Sequence, residues 1–355
     1  MSREKKRILV AMSGGVDSSV AAALLKEEGH ELIGVTLHLW DASGESQVGR
    51  CCAPEDREDA RRSCDALGIP HYVIDERAAF RREVVDPFLE DYRQGKTPSP
   101  CVHCNRKVKL EMLYDLADEL GCSHIATGHY ARVVHDEDGP RLLRGRDLQK
   151  DQSYFLFGLE PRLLARLVFP LGELVKSETR DHGERLGVPN AQKGESQELC
   201  FIPDGDVAGF TKRQLGDAAG GLIVDEEGKK LGEHDEIAGF TIGKRRGLSL
   251  GGGTGGPRYV LRIIPDTRTV VVGEGDRLSS AALSVTDARF FRPPPRDPFR
   301  AQVRIRYRHD PADALIIPRE GGFDVEFDEP QRAITPGQAA VIYSGDEVSG
   351  GGFIV

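Results

Sequence analysis

The amino-terminal half of the chain alternates between short apolar runs and longer charged, amphipathic runs. Residues 7–12 (RILVAM), 31–40 (ELIGVTLHLW) and 71–76 (HYVIDE) are rich in apolar and β-branched residues, which predicts strands. A further strand is predicted within residues 123–133 (SHIATGHYARV). Helical patterns that end at a glycine cover residues 19–28, 54–67 and 108–120. This alternation predicts an α/β domain with a parallel sheet and helices on both faces, which binds ligands at the carboxyl ends of its strands.

The pattern changes after about residue 200, where short β-like runs alternate with turns rich in glycine and aspartate. Three consecutive prolines, residues 293–295, then interrupt regular structure, and from residue 299 apolar and polar positions alternate with a period of two. We expect a small β-rich central domain followed by a carboxyl-terminal β-barrel. The predicted domains are residues 1–203, 204–280 and 281–355.

Composition narrows the class of protein. The chain has 355 residues, is 39% hydrophobic and carries a net charge of −9, which fits a globular protein and leaves room for a local basic surface. No apolar run is long enough to span a bilayer, and the run at residues 8–12 is too short for a signal peptide, so we expect a cytoplasmic protein with no membrane partner. Seven cysteines, an odd number, favour thiol chemistry or metal binding over structural disulfides.

The strongest motif is AMSGGVDSSV, residues 11–20, which follows a predicted strand and opens a predicted helix. Gly14 and Gly15 allow a tight turn that brings backbone N–H groups close to phosphate oxygens, and the helix amino terminus favours an anion. The motif lacks the G-K-[ST] ending of a Walker A loop and the G-x-G-x-x-G spacing of a dinucleotide site. A glycine turn with a serine N-cap is the alternative interpretation.

The S-G-G-x-D-S pattern resembles the pyrophosphate loop of the ATP pyrophosphatase superfamily, whose members cleave ATP between the α and β phosphates and adenylate a substrate oxygen. The resemblance implies that ATP is bound by Ala11, Met12, Ser13, Gly14, Gly15, Val16, Asp17 and Ser18. It also implies that Asp17 helps to hold Mg²⁺ on the pyrophosphate. The loop alone leaves open amide formation and sulfur insertion into tRNA.

Six further short motifs follow the phosphate loop along the chain. They are TPSPCVHCNRKVK (97–109), TGHYAR (127–132), KDQSYFL (150–156), ESQELCFIPDG (195–205), RYR (306–308) and TPGQAAV (335–341). With the phosphate loop they resemble the bacterial tRNA-specific 2-thiouridylases over the whole chain. The resemblance implies ATP-dependent 2-thiolation of the wobble uridine, position 34, of tRNA, with release of AMP and pyrophosphate. It also implies two partners, tRNA and a protein that donates persulfide sulfur.

Two cysteines carry the chemistry that the resemblance implies. Cys200 matches the position of the persulfide carrier, and Cys104 matches the second catalytic position. Adenylation turns the uracil C2 oxygen into part of an AMP leaving group, and thiol–disulfide exchange then resolves the persulfide. The resemblance implies that the two cysteines end as a disulfide that must be reduced before the next turnover.

Cys101 departs from the aspartate that many family members carry at this position. An alternative is therefore the same reaction with sulfur carried on a [4Fe–4S] cluster held by Cys101, Cys104 and Cys200. A zinc site lacks the usual second C-x-x-C. The remaining cysteines, which we expect to be structural, are Cys51, Cys52, Cys64 and Cys122.

The resemblance also implies further residues that contact ATP or tRNA. Leu37 and Gly128 are expected to contact ATP. The expected tRNA contacts are Ser99, Pro100, Cys101, His129, Lys150, Asp151, Gln152, Arg306, Tyr307 and Gln338. Alternatively, His129 is a hydrogen-bonded loop histidine and residues 150–152 form a solvated turn. Arg304, Arg306 and Arg308 alternate, which predicts a positive stripe on one face of a strand suited to a phosphate backbone.

Two rival functions remain at this point. An amide-forming adenylating ligase would depend on ammonia or glutamine and would not need Cys200. A tRNA-binding protein that keeps the fold without turnover would release no AMP in the presence of tRNA.

Overall fold

The computed structural model describes residues 4–41, 54–194, 198–216, 220–248, 250 and 256–355. The chain divides into two compact units. The first unit comprises Met1–Val84, Cys101–Asp204 and Asp346–Ser349, and the second comprises Val85–Pro100, Gly205–Gly345 and Gly350–Val355.

The helices and strands are numbered in chain order. The α-helices are α1 (Val16–Glu27), α2 (Pro54–Leu67), α3 (Arg77–Phe80), α4 (Asp86–Arg93), α5 (Pro100–His103), α6 (Leu110–Glu119), α7 (Pro161–Leu164), α8 (Lys176–Arg185) and α9 (Val207–Leu215). Two π-helical turns cover Arg81–Val85 and Cys104–Lys109. The 3₁₀ turns are Ser153–Phe155, Ile237–Gly239 and Gly275–Leu278.

The strands of the first unit are β1 (Arg7–Ala11), β2 (Glu31–His38), β3 (His71–Asp75), β4 (His124–Ala126), β5 (Ala131–Asp136), β6 (Gly139–Arg144) and β7 (Leu167–Val168). Those that follow are β8 (Gly221–Val224), β9 (Lys230–His234), β10 (Tyr259–Ile264), β11 (Thr269–Gly273), β12 (Ser279–Phe290), β13 (Phe299–Arg304), β14 (Ala312–Arg319), β15 (Gly322–Arg332), β16 (Ala339–Ser344) and β17 (Glu347–Ile354).

A parallel sheet in the order β3-β2-β1-β4-β7 forms the centre of the first unit. β1 and β2 are buried along most of their length, as near-continuous apolar strands in a parallel sheet must be. Side chains of β1, α1 and α2, among them Ile8, Leu25 and Cys64, form one core. The chain runs outward from β1 through β2 to β3 and then returns to the other side of β1 as β4. The strand order therefore reverses between β1 and β4, where open α/β sheets bind ligands.

The second unit contains two β structures. β10, β11, β8 and β9 form a four-stranded sheet with its own core around Phe240 and Val260. β12, β15, β14, β13, β16 and β17 follow one another in hydrogen-bonding order, and β12 also pairs with β17, so these strands close into a barrel. Its interior is filled by residues such as Val285, Ile316 and Phe323. The predicted fold class is confirmed.

Residues 85–100 belong to the second unit although they lie between β3 and α6 in the sequence. α4 packs against α9, with the rings of Phe88 and Phe210 6.2 Å apart. This assignment cannot be predicted from the sequence, because the apolar face of a short helix does not indicate which partner covers it.

Three predicted elements have different limits. α1 begins at Val16, three residues before the predicted start, since the loop turns directly into the helix. The helix expected at residues 108–120 is α6, preceded by the π-helical turn at Cys104–Lys109. The single strand expected within residues 123–133 is two strands, β4 and β5, in different sheets, because the chain breaks at Thr127–Tyr130. Among the described residues, no helix has both the length and the apolar character needed to cross a membrane.

Candidate active site

The phosphate loop, residues Ser13–Ser19, holds its own shape through short-range hydrogen bonds. The Ser13 N–H donates to Ser18 Oγ at 3.1 Å, and the Gly15 N–H donates to Ser13 Oγ at 3.3 Å. The hydroxyls of Ser18 and Ser19 donate to the Gly15 carbonyl at 3.0 and 3.1 Å. These bonds turn the chain so that the first N–H groups of α1, which have no acceptor within the helix, are available to an anion.

Two glycines make the loop compact. Gly14 has φ +75°, and a Cβ there would lie 2.0 Å from the Asp56 carbonyl oxygen. Gly128, in the break after β4, has no room for a side chain either, since its Cβ would lie 2.7 Å from the Ser18 nitrogen. The backbone after β4 therefore lies directly against the start of α1. This places Gly128 beside the loop, and its contact with ATP stays a prediction.

Distant side chains support the outer face of the loop. The Gly14 carbonyl accepts from Asn190 Nδ2 at 2.8 Å and from Lys193 Nζ at 3.3 Å. Lys193 also forms ion pairs with Asp56 at 2.5 Å and Asp59 at 2.6 Å. Burial acts to raise the pKa of Asp59, but its bonds to Lys193 and Arg62 prevail and lower it. The loop is thus tied to α2 and to the segment that leads toward Cys200.

Asp17 is part of a second network on the same loop. Its Oδ1 lies 2.7 Å from Lys176 Nζ and 3.0 Å from the Tyr130 hydroxyl, which is also 3.0 Å from Thr179 Oγ1. Lys176 opens α8 and has a side chain that is only 13% exposed. A largely buried ammonium therefore lies beside the loop, ion-paired with Asp17.

Lys176, Asn190 and Lys193 are not among the residues that the sequence predicts for the site. Each lies about 160 to 180 residues from the loop atom that it contacts, so no local pattern connects them to it. The local sequence around each lysine shows only a basic residue among polar neighbours, which does not indicate a contact with the loop.

Leu37, the remaining predicted ATP contact, lies in β2 next to β1. The neighbouring Thr36 donates to the Met12 carbonyl at 2.7 Å, and the Met12 N–H donates to the Val35 carbonyl at 2.8 Å. Ala11 and Met12 are therefore fixed against β2 at the carboxyl edge of the sheet, which is also where Leu37 lies.

The Asp17 carboxylate suits a magnesium ion bound mainly by phosphate oxygens. Such an ion needs only one or two protein carboxylates. Within the described residues, no group of three or more His, Cys, Asp or Glu side chains is arranged to hold a metal ion. Cys101, Cys104 and Cys200 are therefore not arranged as such a group in the described part of the chain.

The two predicted catalytic cysteines lie in the first unit. Cys104 is 5% exposed and opens the π-helical turn, whereas Cys200 is half-buried. The turn packs against α3, and the α3 side chain Phe80 contacts Phe201 with ring centroids 5.6 Å apart. α3 thus connects the Cys104 turn to the residue that follows Cys200.

The other described cysteines differ in their surroundings. Cys101 is exposed on α5. Cys64 and Cys122 are buried, and burial raises the pKa of both, that of Cys64 to about 12, so the thiolate is disfavoured there. Cys51 and Cys52 lie outside the described residues.

His129 follows Gly128 in the break after β4. Its Nδ1 is 2.7 Å from Thr127 Oγ1, and its ring meets the edge of Phe169 at 6.0 Å. Burial, with a smaller effect from the Lys109 charge, lowers the pKa of His129 to about 3, so the imidazole is neutral at physiological pH. The predicted tRNA contact is therefore a neutral hydrogen-bonding group.

Residues Lys150–Gln152 form a turn with different roles for its side chains. Asp151 is 1% exposed and accepts from the N–H groups of Gly145 and Ser153 at 3.1 and 3.0 Å. Gln152 Oε1 accepts from the Tyr130 N–H at 3.0 Å. Asp151 therefore stabilises the turn, and Gln152 holds Tyr130, whose hydroxyl contacts Asp17. Lys150 is half-buried on the same turn.

The predicted arginine stripe is wrong. β13 ends at Arg304, and Arg306, Tyr307 and Arg308 follow it in a turn, so the period of two that would align the three arginines is lost. Arg304 is 9% exposed and donates to the Tyr307 carbonyl, with its guanidinium 5.6 Å from the Tyr307 ring. Only Arg308 is exposed, while Arg306 and Tyr307 are half-buried in the same turn.

Ser99, Pro100 and Gln338 are brought together in the second unit. Gln338 Nε2 donates to the carbonyls of Thr97 and Pro98 at 3.0 and 3.1 Å, and the Ala339 N–H donates to Ser99 Oγ at 3.2 Å. Ser99 and Pro100 are buried, whereas Cys101, the next residue, is exposed. Three of the predicted tRNA contacts, Ser99, Pro100 and Gln338, thus lie close together.

Three family profiles match: a tRNA methyl transferase HUP domain over residues 6–204, a tRNA methyl transferase PRC-barrel domain over 208–274 and an aminomethyltransferase beta-barrel domain over 280–354. Among solved structures, an RNA complex of a 4-thiouridine synthetase aligns with 52% of this chain and 42% of its own, at 16% identity and a TM-score of 0.35.

Curated relatives match over nearly the whole chain. The tRNA-specific 2-thiouridylase MnmA of Sorangium cellulosum is 50% identical over 98% of this chain and 92% of its own length. The protein of the same name from Syntrophotalea carbinolica is 48% identical over 100% of both chains, and that from Geobacter metallireducens is 46% identical over 99% of this chain and 97% of its own. With this identity and coverage, the chain belongs to the family of tRNA-specific 2-thiouridylases.

Proposed function

We propose that this chain is an ATP-dependent tRNA sulfurtransferase that replaces the C2 oxygen of the wobble uridine, position 34, with sulfur. The observation that carries the proposal is the presence, in one compact unit, of a phosphate loop and the two thiols Cys104 and Cys200. An amide-forming ligase has no use for the thiols, and a protein that only binds RNA has no use for the loop.

The first step is adenylation of the uridine. The C2 oxygen attacks the α-phosphorus of ATP, the bond to the β-phosphate oxygen breaks, and pyrophosphate leaves. The N–H groups at the start of α1 and the ammonium of Lys176 would bind the phosphates and stabilise the charge that develops on them. Asp17 would hold Mg²⁺, which supplies further positive charge to the pyrophosphate when it is bound.

The second step is sulfur transfer. The terminal sulfur of a Cys200 persulfide attacks C2, and AMP leaves with the original oxygen. Cys104 then attacks the Cys200 sulfur, which releases 2-thiouridine and leaves a Cys104–Cys200 disulfide. In the other order, Cys104 attacks first and releases hydrosulfide, which attacks C2. In both orders a thiol reductant must supply two electrons before the next turnover.

The substrate base must leave the anticodon stack to meet both ATP and the thiols. A single-stranded anticodon loop makes this base flipping less costly than it would be in a duplex. Ser99, Pro100 and Cys101 are the residues that we expect to face the uracil. A protein persulfide would supply the sulfur, and the reaction would take place in the cytoplasm.

Reconstitution tests the proposal. The chain is incubated with ATP, a persulfide donor and unmodified tRNA, and the digested nucleosides are separated and identified by mass. We expect 2-thiouridine and one AMP for each sulfur incorporated. Product that requires ammonia in place of the persulfide donor would identify an amide-forming ligase, and tRNA binding without AMP release would identify a protein without turnover.

A further inference from the structure

The barrel of the second unit holds the chain segment that precedes the catalytic cysteine turn. The Thr97 N–H donates to the Pro336 carbonyl at 2.8 Å, and the Thr97 and Pro98 carbonyls both accept from Gln338 Nε2. Ser99 Oγ accepts from the Ala339 N–H, as described above. Every residue from Thr97 to Ser99 is therefore hydrogen-bonded to Pro336, Gln338 or Ala339, and we call the stretch Pro336–Ala339 the barrel clamp.

The clamp is fixed to the rest of the barrel. The Gly337 N–H donates to the Ile354 carbonyl, and the Ile354 N–H donates to the Gln338 carbonyl, both at 2.9 Å. Arg306 Nη2 donates to the carbonyls of Arg332 and Ala333, at 2.5 and 3.2 Å, in the chain that enters the clamp. The arginine predicted to contact tRNA thus supports the same loop.

Gly337 shows how closely the clamp and the segment fit. It has φ +87°, and a Cβ at this position would lie 2.8 Å from the Thr97 oxygen and 3.0 Å from the Lys96 Cβ. A side chain there would push the segment away. Gln338 is constrained in a different way, since its amide nitrogen already donates to two backbone carbonyls.

We propose that Gln338 and Gly337 are positioning residues that fix the conformation of Thr97–Ser99, which continues directly into Cys101 and Cys104. The proposal rests on the function proposed above and gives Gln338 a role different from direct contact with tRNA. The clamp contributes to the rate of thiolation and not to the affinity for tRNA.

Two variants test the proposal through different physical effects. Gln338→Ala removes both hydrogen bonds that the side-chain amide donates. Gly337→Ala adds a Cβ that would meet the Thr97 carbonyl oxygen, and it removes no group that could bind RNA. The matched control is Gly321→Ala, which places the same Cβ at φ +70° in a barrel turn with nothing within 4 Å. Each variant is measured for tRNA affinity by filter binding, for single-turnover 2-thiouridine formation, and for hydrogen exchange of the peptide that spans residues 96–104.

We expect both clamp variants to slow single-turnover thiolation about tenfold, because two lost hydrogen bonds and a displaced segment disturb a near-attack geometry. Exchange of the 96–104 peptide should become faster in both variants, and their Kd for tRNA should stay within about twofold of that of the parent chain. Gly321→Ala should change none of these quantities.

The inference is overturned if Gln338→Ala raises the tRNA Kd about tenfold while exchange of the 96–104 peptide is unchanged, because Gln338 is then an RNA contact. Unchanged exchange in both variants overturns it as well. The exchange measurement requires no thiolation, so it keeps a failure of the clamp separate from a failure of the proposed function, which would appear as absence of 2-thiouridine with the parent chain.

Discussion

The phosphate loop and the segment Thr97–Ser99 are both short stretches of fixed backbone, but their supports come from different distances along the chain. The loop closes on itself through Ser13, Gly15 and Ser18, which are two to five residues apart. The segment has no such local bonds in the described structure, and its hydrogen-bond partners lie 144 to 241 residues away. A local motif can therefore specify the first region, whereas only the assembled barrel specifies the second.

The largest effect should come from the two thiols. Cys104→Ser and Cys200→Ser should each lower 2-thiouridine formation by more than about 1000-fold, since a hydroxyl can neither carry sulfane sulfur nor exchange with a disulfide. Cys122→Ala, at a buried thiol outside the proposed chemistry, is the matched control and should keep activity. Turnover by Cys200→Ser with a persulfide donor would show that the chemistry lies elsewhere.

Gly14→Ala tests whether the loop is as closely determined as its hydrogen bonds indicate. The added Cβ meets the Asp56 carbonyl, so we expect AMP formation to fall about 100-fold through misplacement of the phosphates. Gly29→Ala is the matched control, because Gly29 has φ +89° at the end of the same helix and nothing within 4 Å of its Cβ position. An equal loss of AMP formation in the two variants would point to backbone strain and not to the contact between the added Cβ and the Asp56 carbonyl.

Lys193→Met tests one of the contacts through which the loop also depends on distant residues. Removing the ammonium leaves Asp56, which is 4% exposed, beside Asp59 without their shared cation. We expect kcat/KM for ATP to fall about tenfold and the melting temperature to drop. Lys230→Met breaks an exposed ion pair with Glu233 and should alter neither quantity. A normal kcat/KM in Lys193→Met would show that the loop binds ATP without support from Lys193.

Cys101→Ser distinguishes a neighbour of the base from a cluster ligand. Because Cys101 is exposed, we expect thiolation to stay within about threefold of the parent value, as for other surface substitutions. If Cys101→Ser abolishes thiolation as completely as Cys104→Ser, and if anaerobically purified protein contains iron with broad visible absorbance, the cluster alternative gains support.

The smallest expected effect is a change in the pH dependence of stability at His129. Its folded-state pKa is about 3, below the unfolded value near 6.5, so only the unfolded state gains a proton as the pH falls between these values. Stability is therefore full above pH 6.5 and declines below it, by at most about 2 kcal/mol at pH 5. In His129→Asn the drop in melting temperature from pH 7 to pH 5 should be smaller. An identical drop would mean that His129 titrates normally.

The sequence predicted the fold class because the relevant signals are local. Apolar strands, charged helices and closing glycines recur at the spacing that a parallel sheet requires, and residues 54–67 match α2 at both ends. The arginine stripe failed because period-two alternation at Arg304–Arg308 continues past the residue where β13 stops pairing. Alternation indicates a strand only while a neighbouring strand supplies its hydrogen bonds.

The sequence alone predicts the phosphate loop, because the loop depends on residue type and short spacing, whereas the choice of Cys104 and Cys200 as candidate thiols rests on the resemblance of their motifs to a known family. The tertiary structure decided which residues support them. Lys176, Asn190 and Lys193 meet the loop only because α8 and the chain after it fold back onto α1, and Gln338 meets Thr97 only because β16 emerges beside that segment. These contacts depend on how layers pack over long sequence separations, and that packing leaves no local pattern in the order of the residues.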